Sequence, residues 1–154
     1  MGSRIINTMV RGLPEKDQSG YGFQHFAGIY KNGKLMFRGC NHLRNSYNGE
    51  CICFSTHAEM DVLSKVIKQH TLRPFKDMID LSDHVIIVVR LGRDGLLKNS
   101  RPCNQCLETM TKYRIKKIMY STDSGTFYSE KPCAMEHLHE SSGWLAFKTP
   151  GRLK

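Results

Sequence analysis

The sequence predicts an α/β domain of three layers, with helices packed on a mixed β-sheet, and three observations carry that expectation. The continuous run His84-Val85-Ile86-Ile87-Val88-Val89 has the character of a central strand covered on both faces. Stretches with apolar residues three or four apart, the spacing of a half-buried helix, lie on either side of it. Turn signals divide the remainder into short strands, two pairs of which read as hairpins. At 154 residues the chain is long enough to bury a core as one domain spanning 1–154.

Taken in order, residues 1–20 are irregular, with a turn-like Gly12-Leu13-Pro14 and a charged Glu15-Lys16-Asp17. Residues 23–30 and 34–38 read as strands joined by Lys31-Asn32-Gly33, because Asn-Gly between strand-like runs is a strong hairpin signal. A loop follows over 39–49. Residues 57 to about 70 carry Ala58, Val62, Leu63, Val66 and Ile67 on one face of a helix, which Arg73-Pro74 closes or follows. After the central strand, Arg93-Asp94-Gly95 makes a turn. Pro102 suits the first turn of a second helix reaching about 113, since its missing N–H has no partner to lose there. Residues 117–120, the turn Asp123-Ser124-Gly125 and residues 126–128 form a tight hairpin, so the last two strands are antiparallel. A final helical stretch is expected over 134–139.

Bulk properties narrow the function. The chain is 40% apolar, yet no apolar run approaches the roughly 20 residues that span a bilayer, and the N-terminus has no apolar signal core. The expectation is a soluble intracellular protein with no membrane partner. In that setting a Cys-x-x-Cys points to metal or redox chemistry before disulfides, so among the six cysteines Cys103 and Cys106 are read as ligands. The roles of Cys40, Cys51, Cys53 and Cys133 stay open, as does homo-oligomerisation. A net charge of +9 favours phosphate-bearing partners. Most basic residues are nevertheless scattered, and 112–117 is the one local cluster.

The chemistry resides in two short strings. Thr56-His57-Ala58-Glu59 is followed, beginning 46 residues after His57, by Cys103-Asn104-Gln105-Cys106 with Pro102 just before it. One imidazole and two thiolates supply three zinc ligands and leave a fourth position for water, the arrangement of a catalytic zinc rather than a structural one. Both strings fall at helix starts, where unpaired N–H groups favour thiolate over thiol. Cysteines three apart share a helical face and can reach one ion. Zinc brings the pKa of a bound water toward ~7, and a carboxylate beside it, here Glu59, can move the proton. Each piece has a plainer reading. Thr56 and Glu59 fit a capping box, a lone histidine is more often structural, and Cys-x-x-Cys can be redox-active or half of a four-cysteine site. The combination outweighs its parts. Cys133, His137 and His139 form a second candidate cluster, weighed against a helix bearing solvated histidines.

His57-Ala58-Glu59 with Pro102-Cys103-Asn104-Gln105-Cys106 resembles the zinc-dependent cytidine deaminase superfamily, in which His-x-Glu and Pro-Cys-x-x-Cys recur. The resemblance extends over most of the chain, since the strands and helices follow the family's order. It implies a three-layer α-β-α sandwich of the cytidine deaminase type, one Zn2+ held by His57, Cys103 and Cys106, and hydrolytic conversion of cytosine to uracil with Glu59 as the proton shuttle. Asn41, ending the second strand, looks like the asparagine with which many deaminases touch the sugar; the plainer reading is a turn residue. Ala58 and Pro102, beside the ligands, are the other candidate substrate contacts.

The resemblance leaves the substrate divided. Gly39-Cys40-Asn41 with Ser46-Tyr47 is similar to the free-cytidine enzymes, although Leu43 stands where they place a sugar-binding glutamate. His57 stands where that branch usually has cysteine and where deoxycytidylate, transfer-RNA and polynucleotide deaminases have histidine. The expected C-terminal hairpin points back to the branch holding cytidine deaminase, blasticidin deaminase and bacterial toxin deaminases. A cytosine-containing nucleoside or nucleotide is therefore the first expectation. A cytosine deaminase acting on single- or double-stranded DNA or RNA through its basic surface, with Phe54, Tyr47 or Trp144 for stacking, is the alternative. An adenine deaminase and a catalytically silent zinc-binding module come after these.

Overall fold

The computed structural model describes Arg4 and residues 24–41, 46–47, 52–53, 56–71, 79–138 and 140. Its strands are β1 (Gln24–Lys31), β2 (Lys34–Cys40), β3 (Ser46–Tyr47), β4 (Ile52–Cys53), β5 (His84–Leu91), β6 (Leu97–Lys98), β7 (Lys117–Ser121) and β8 (Phe127–Glu130). Its two long helices are α1 (Ala58–Thr71) and α2 (Asn104–Lys112). The main sheet has the order β2-β1-β5-β7-β8, with β6 attached to the end of β5, while β3 and β4 form a separate pair. β5 runs antiparallel to β1 and parallel to β7, so the sheet is mixed.

Turn chemistry explains the hairpins. Asn32 and Gly33 both take positive φ, 50° and 75°, as a two-residue turn matched to the strand twist requires. β7 and β8 pair antiparallel from Ile118↔Glu130 to Ser121↔Phe127, closed by a turn with Gly125 at φ 79°. The C-terminal hairpin expected from sequence is thus present.

A parallel pair needs a crossover, and α2 supplies it between β5 and β7. The helix ends abruptly because Arg114 adopts φ 60°. There the Ile115 N–H reaches back to Met110 O and the Arg114 N–H to Thr111 O, the pattern that satisfies a helix's last carbonyls. Arginine here takes the place glycine usually fills, so no sequence signal marked the stop.

Alternation along β5 divides its side chains between two apolar clusters. Ile86 and Val88 join Ala27, Ile29 and Ile118 beneath Val62, Leu63 and Val66 of α1 and Leu107 and Met110 of α2. Ile87 and Val89 face the opposite side with Met119 and Phe127, and Val89 is fully buried there. The strand is therefore covered on both faces, as its β-branched composition requires. Both described helices lie on the first face, and the margin of that core includes Cys103 and Cys106.

Four expectations are corrected. Pro102 precedes α2 instead of sitting in its first turn, because Cys103 is the N-cap. Residues 134–138 do not form a helix: a 3-10 turn at Pro132–Ala134 gives way to extended backbone at Met135. β2 continues to Cys40, past the expected end at 38, and β3 lies within the stretch read as a loop. β6 was not foreseen, as a two-residue strand carries no periodicity.

The end of β2 is fastened to α1 at close quarters. Asp61 Oδ2 accepts the Cys40 N–H at 3.3 Å and the Lys65 ammonium at 3.1 Å. The approach leaves no room for a side chain at Gly39, whose added Cβ would stand 2.3 Å from Asp61 Oδ2 and 3.1 Å from Asp61 Cβ. Gly39→Ala is expected to lower stability by about 1–3 kcal/mol through this clash. Urea unfolding at constant m-value checks it, and an unchanged midpoint would refute the close-packing argument.

Candidate active site

Two helix starts meet on one face of the sheet. His57 supplies the carbonyl that accepts the first α1 hydrogen bond, from the Asp61 N–H at 2.9 Å, and is therefore the N-cap. Glu59 then occupies the second helical position. A capping box seated on Thr56 would need Glu59 at the third. Glu59 is thus one position out of register for a capping box with Thr56, although its carboxyl still accepts its own backbone N–H in the first turn. At α2, Cys103 is the N-cap and makes no side-chain capping bond, while Cys106 lies in the first turn.

The segment leading to Cys103 is pinned by buried hydroxyls. Ser100 Oγ donates to Val88 O at 2.9 Å and accepts the Ser121 N–H at 2.8 Å, and Ser121 Oγ donates to Lys98 O at 2.7 Å. These bonds tie the approach to α2 to the ends of β5 and β7. Sequence reasoning missed both serines, because a loop serine and a strand-end serine carry no mark of burial.

His57 Nδ1 lies 3.4 Å from Cys103 Sγ and 3.4 Å from Cys106 Sγ. The three donor atoms all fall within 4.8 Å of one another, and this is the only such group among the described residues. With Zn–N near ~2.0 Å and Zn–S near ~2.3 Å, a tetrahedral ion holds its nitrogen and sulfur ligands roughly 3.5 Å apart. The donor set fits zinc in both chemistry and spacing. The second candidate cluster does not assemble among the described residues: Cys133 is exposed, and His137 lies 4.0 Å from Glu108 instead. His139 is outside the described residues, as are Phe54 and Trp144 and the side chain of Tyr47.

Without a metal the donors hold a proton among themselves. The Cys106 thiol beside Cys103, opposed by burial and aided by His57, brings Cys103 down to about 4. Burial pulls His57 down, but the Cys103 sulfur and the Glu59 carboxyl more than offset it and raise the imidazole to about 9. A dication would displace that proton and take the same thiolate. Burial also pushes the Glu59 carboxyl above the ordinary carboxylate range, against the pull of His57. Glu59 is 4% exposed. Its response to both His57 and Cys103 places the carboxyl within electrostatic reach of the donors.

The remaining candidates lie close by. Asn41 is buried at the end of β2, where its Oδ1 accepts the His25 N–H at 3.0 Å and its N–H donates to His25 O at 3.2 Å. Ala58 is fully buried, and Pro102 is buried beside Cys103. Sequence reasoning also missed His25, which stands near the start of β1 just before its apolar stretch at residues 26–29. Its imidazole is lowered to about 4 by burial, by Arg90 opposite it and by His57.

This is a single zinc site with an acidic side chain beside it, built from two helix starts on a mixed sheet. The profile of the cytidine and deoxycytidylate deaminase zinc-binding region matches residues 13–122, and the chain belongs to that family. It is a zinc-dependent deaminase domain. Its fold is similar to the crystal structure of a cytidine deaminase from Burkholderia pseudomallei, with a TM-score of 0.57 and 19% identity over 86% of this chain and 94% of that one. No curated protein matches the sequence. None of the described helices is long and apolar enough to cross a membrane.

Two outcomes are expected. Cys103→Ser and Cys106→Ser will each lose zinc, and stability with it, because metal binding is coupled to folding; elemental analysis showing full occupancy in both would refute the ligand set. His25 has its folded pKa depressed from 6.5 to about 4. The stability held by its neutral form is complete above pH 6.5 and is lost as pH falls toward 4, on the order of 3 kcal/mol in all. Urea titrations across that window should show a shallower acid slope in His25→Gln than in the parent, and equal slopes would contradict the burial of a neutral imidazole.

Proposed function

We propose that the protein converts cytosine to uracil in a cytosine-containing nucleoside or nucleotide by hydrolytic deamination. The observation that carries this reading is the convergence of His57 Nδ1 with both cysteine sulfurs at 3.4 Å, with the buried Glu59 carboxyl beside them. His57, Cys103 and Cys106 would hold the zinc, which when bound supplies an activated water near neutral pH.

The remaining work falls to the protein. A water oxygen bonds to C4 of the base, the bond from C4 to the exocyclic nitrogen breaks, and the nitrogen leaves as ammonia. Glu59 takes a proton from the water, passes it to the ring nitrogen, and moves a second one to the departing amine. Burial raises the Glu59 carboxyl, which favours its holding a proton between the two transfers. Ala58 is buried and has only a methyl side chain, so its contribution is a first-turn N–H that lacks a helical partner. Pro102 has no N–H and would offer its carbonyl. Together they present a donor and an acceptor to the edge of the base, and Asn41 lies toward the sugar.

Placement of the basic cluster favours the small substrate. Residues 112–117 begin at the C-terminal end of α2, whereas the zinc donors are at its N-terminus. A nine-residue helix separates them by about 14 Å. Arg114 in that cluster pairs with Asp80 at 3.2 Å. The polynucleotide reading rests on the net charge of +9, on His57 standing where polynucleotide deaminases have histidine, and on the C-terminal hairpin shared with the branch that holds toxin deaminases.

Zinc-loaded protein incubated with cytidine, deoxycytidine, their phosphates, adenosine, blasticidin, DNA and RNA is expected to release ammonia from a cytosine nucleoside or nucleotide. Glu59→Gln should keep its metal and fold but lose about 100- to 10,000-fold in turnover. Equal turnover in both proteins would refute the role of Glu59, and absence of product from every substrate would refute the enzyme. Turnover confined to DNA or RNA, with binding that weakens steeply in salt, would replace the small-substrate reading.

A further inference from the structure

We propose that His25 is a substrate-contacting residue whose imidazole hydrogen-bonds a hydroxyl of the substrate's sugar. The inference rests on the nucleoside or nucleotide reading above and assigns a further part of the same site.

Strand alternation sets the direction of the side chain. Ala27 and Ile29 of β1 belong to the core beneath α1 and α2, and His25, two residues before Ala27, shares their face. Its ring therefore projects to the side of the sheet that carries the zinc donors. Cross-strand register fixes its neighbours. Arg90 of β5 lies directly opposite on one side, and Asn41 grips the His25 backbone on the other through two hydrogen bonds of 3.0 and 3.2 Å. Three adjacent strands thus end in a row of polar residues, Asn41, His25 and Arg90, along the edge of the metal site. The middle imidazole is close enough to His57 to feel its charge.

The chemistry of the ring suits a hydroxyl. Burial and the Arg90 guanidinium keep the imidazole neutral. One ring nitrogen then donates while the other accepts, and a hydroxyl group can answer either. A histidine serving only the core would have its nitrogens satisfied within it. Here the ring is partly open to solvent, and among the described residues no hydrogen bond reaches it. The clamp from Asn41 holds the backbone only, which fixes the position of the ring without using its polar atoms.

The test is a cycle between side chain and ligand. Calorimetry on the zinc-loaded Glu59→Gln protein, which leaves the ligand intact, compares cytidine with its 2′-deoxy and 3′-deoxy analogues. Removing one of the two hydroxyls should weaken binding by about tenfold or more when His25 is present. In the His25→Val background the same removal should cost no more than about twofold, with zinc still at one ion per chain. His25→Gln, which keeps a donor and an acceptor, should restore part of the discrimination and carries the test should His25→Val fail to fold. Discrimination as strong without the imidazole as with it overturns the assignment of His25 and leaves the deaminase reading standing. Failure of every cytosine ligand to bind zinc-loaded protein overturns the substrate reading, and the assignment falls with it.

Discussion

The site depends on one constraint: the starts of two helices distant in sequence must meet closely enough for a nitrogen and two sulfurs to face a common point. Each helix start favours negative charge, and against burial the Cys103 thiolate is held chiefly by the Cys106 thiol and by His57. His57 caps the other helix with its backbone carbonyl and turns its imidazole Nδ1 toward the sulfurs. Neither helix could be displaced by a residue without separating the donors. The fold accordingly spends its buried polar contacts on these junctions: Asp61 binds β2 to α1, and Ser100 and Ser121 bind the approach to α2 onto β5 and β7.

Burial then differentiates the groups in the pocket. The same low-dielectric margin raises the Glu59 carboxyl and lowers the His25 imidazole, shifting an acid and a base in opposite directions within one pocket. The densest basic cluster of the sequence lies at the opposite end of α2 from the cysteines.

Much of this was legible from residues alone because the signals are local. The β-branched run of β5, Asn32-Gly33 between two strands and the Cys103–Cys106 pair each define a short-range geometry that tertiary contacts preserved, and His57, 46 residues before that pair, was legible through the two-part motif. What escaped is held by long-range contacts without local signature. Arg114 ends α2 in a conformation expected of glycine, the serine pair becomes important only when β5 and β7 lie side by side, and His25 gains significance only through its register with Arg90 and Asn41. The helix expected at 134–139 failed for a related reason. Arg101 draws the Glu136 carbonyl with a 2.7 Å hydrogen bond, and Pro132 opens a short 3-10 turn in place of a longer helix.

The hairpin linking β7 to β8 has a topological consequence. A parallel last strand would need a long return path starting at the end of β7 nearest the α2 start. Here Thr122 to Thr126 turn the chain back at once, bound by the Thr122 N–H to Thr126 O, so no crossover segment follows β7 on that flank. Asp123 Oδ1 also accepts the Asn99 N–H at 2.9 Å, coupling this turn to the loop segment that leads to Cys103. The outer residues of the turn are thus free to vary without altering the β7–β8 pairing, while Asp123 at its base anchors the segment that leads to Cys103.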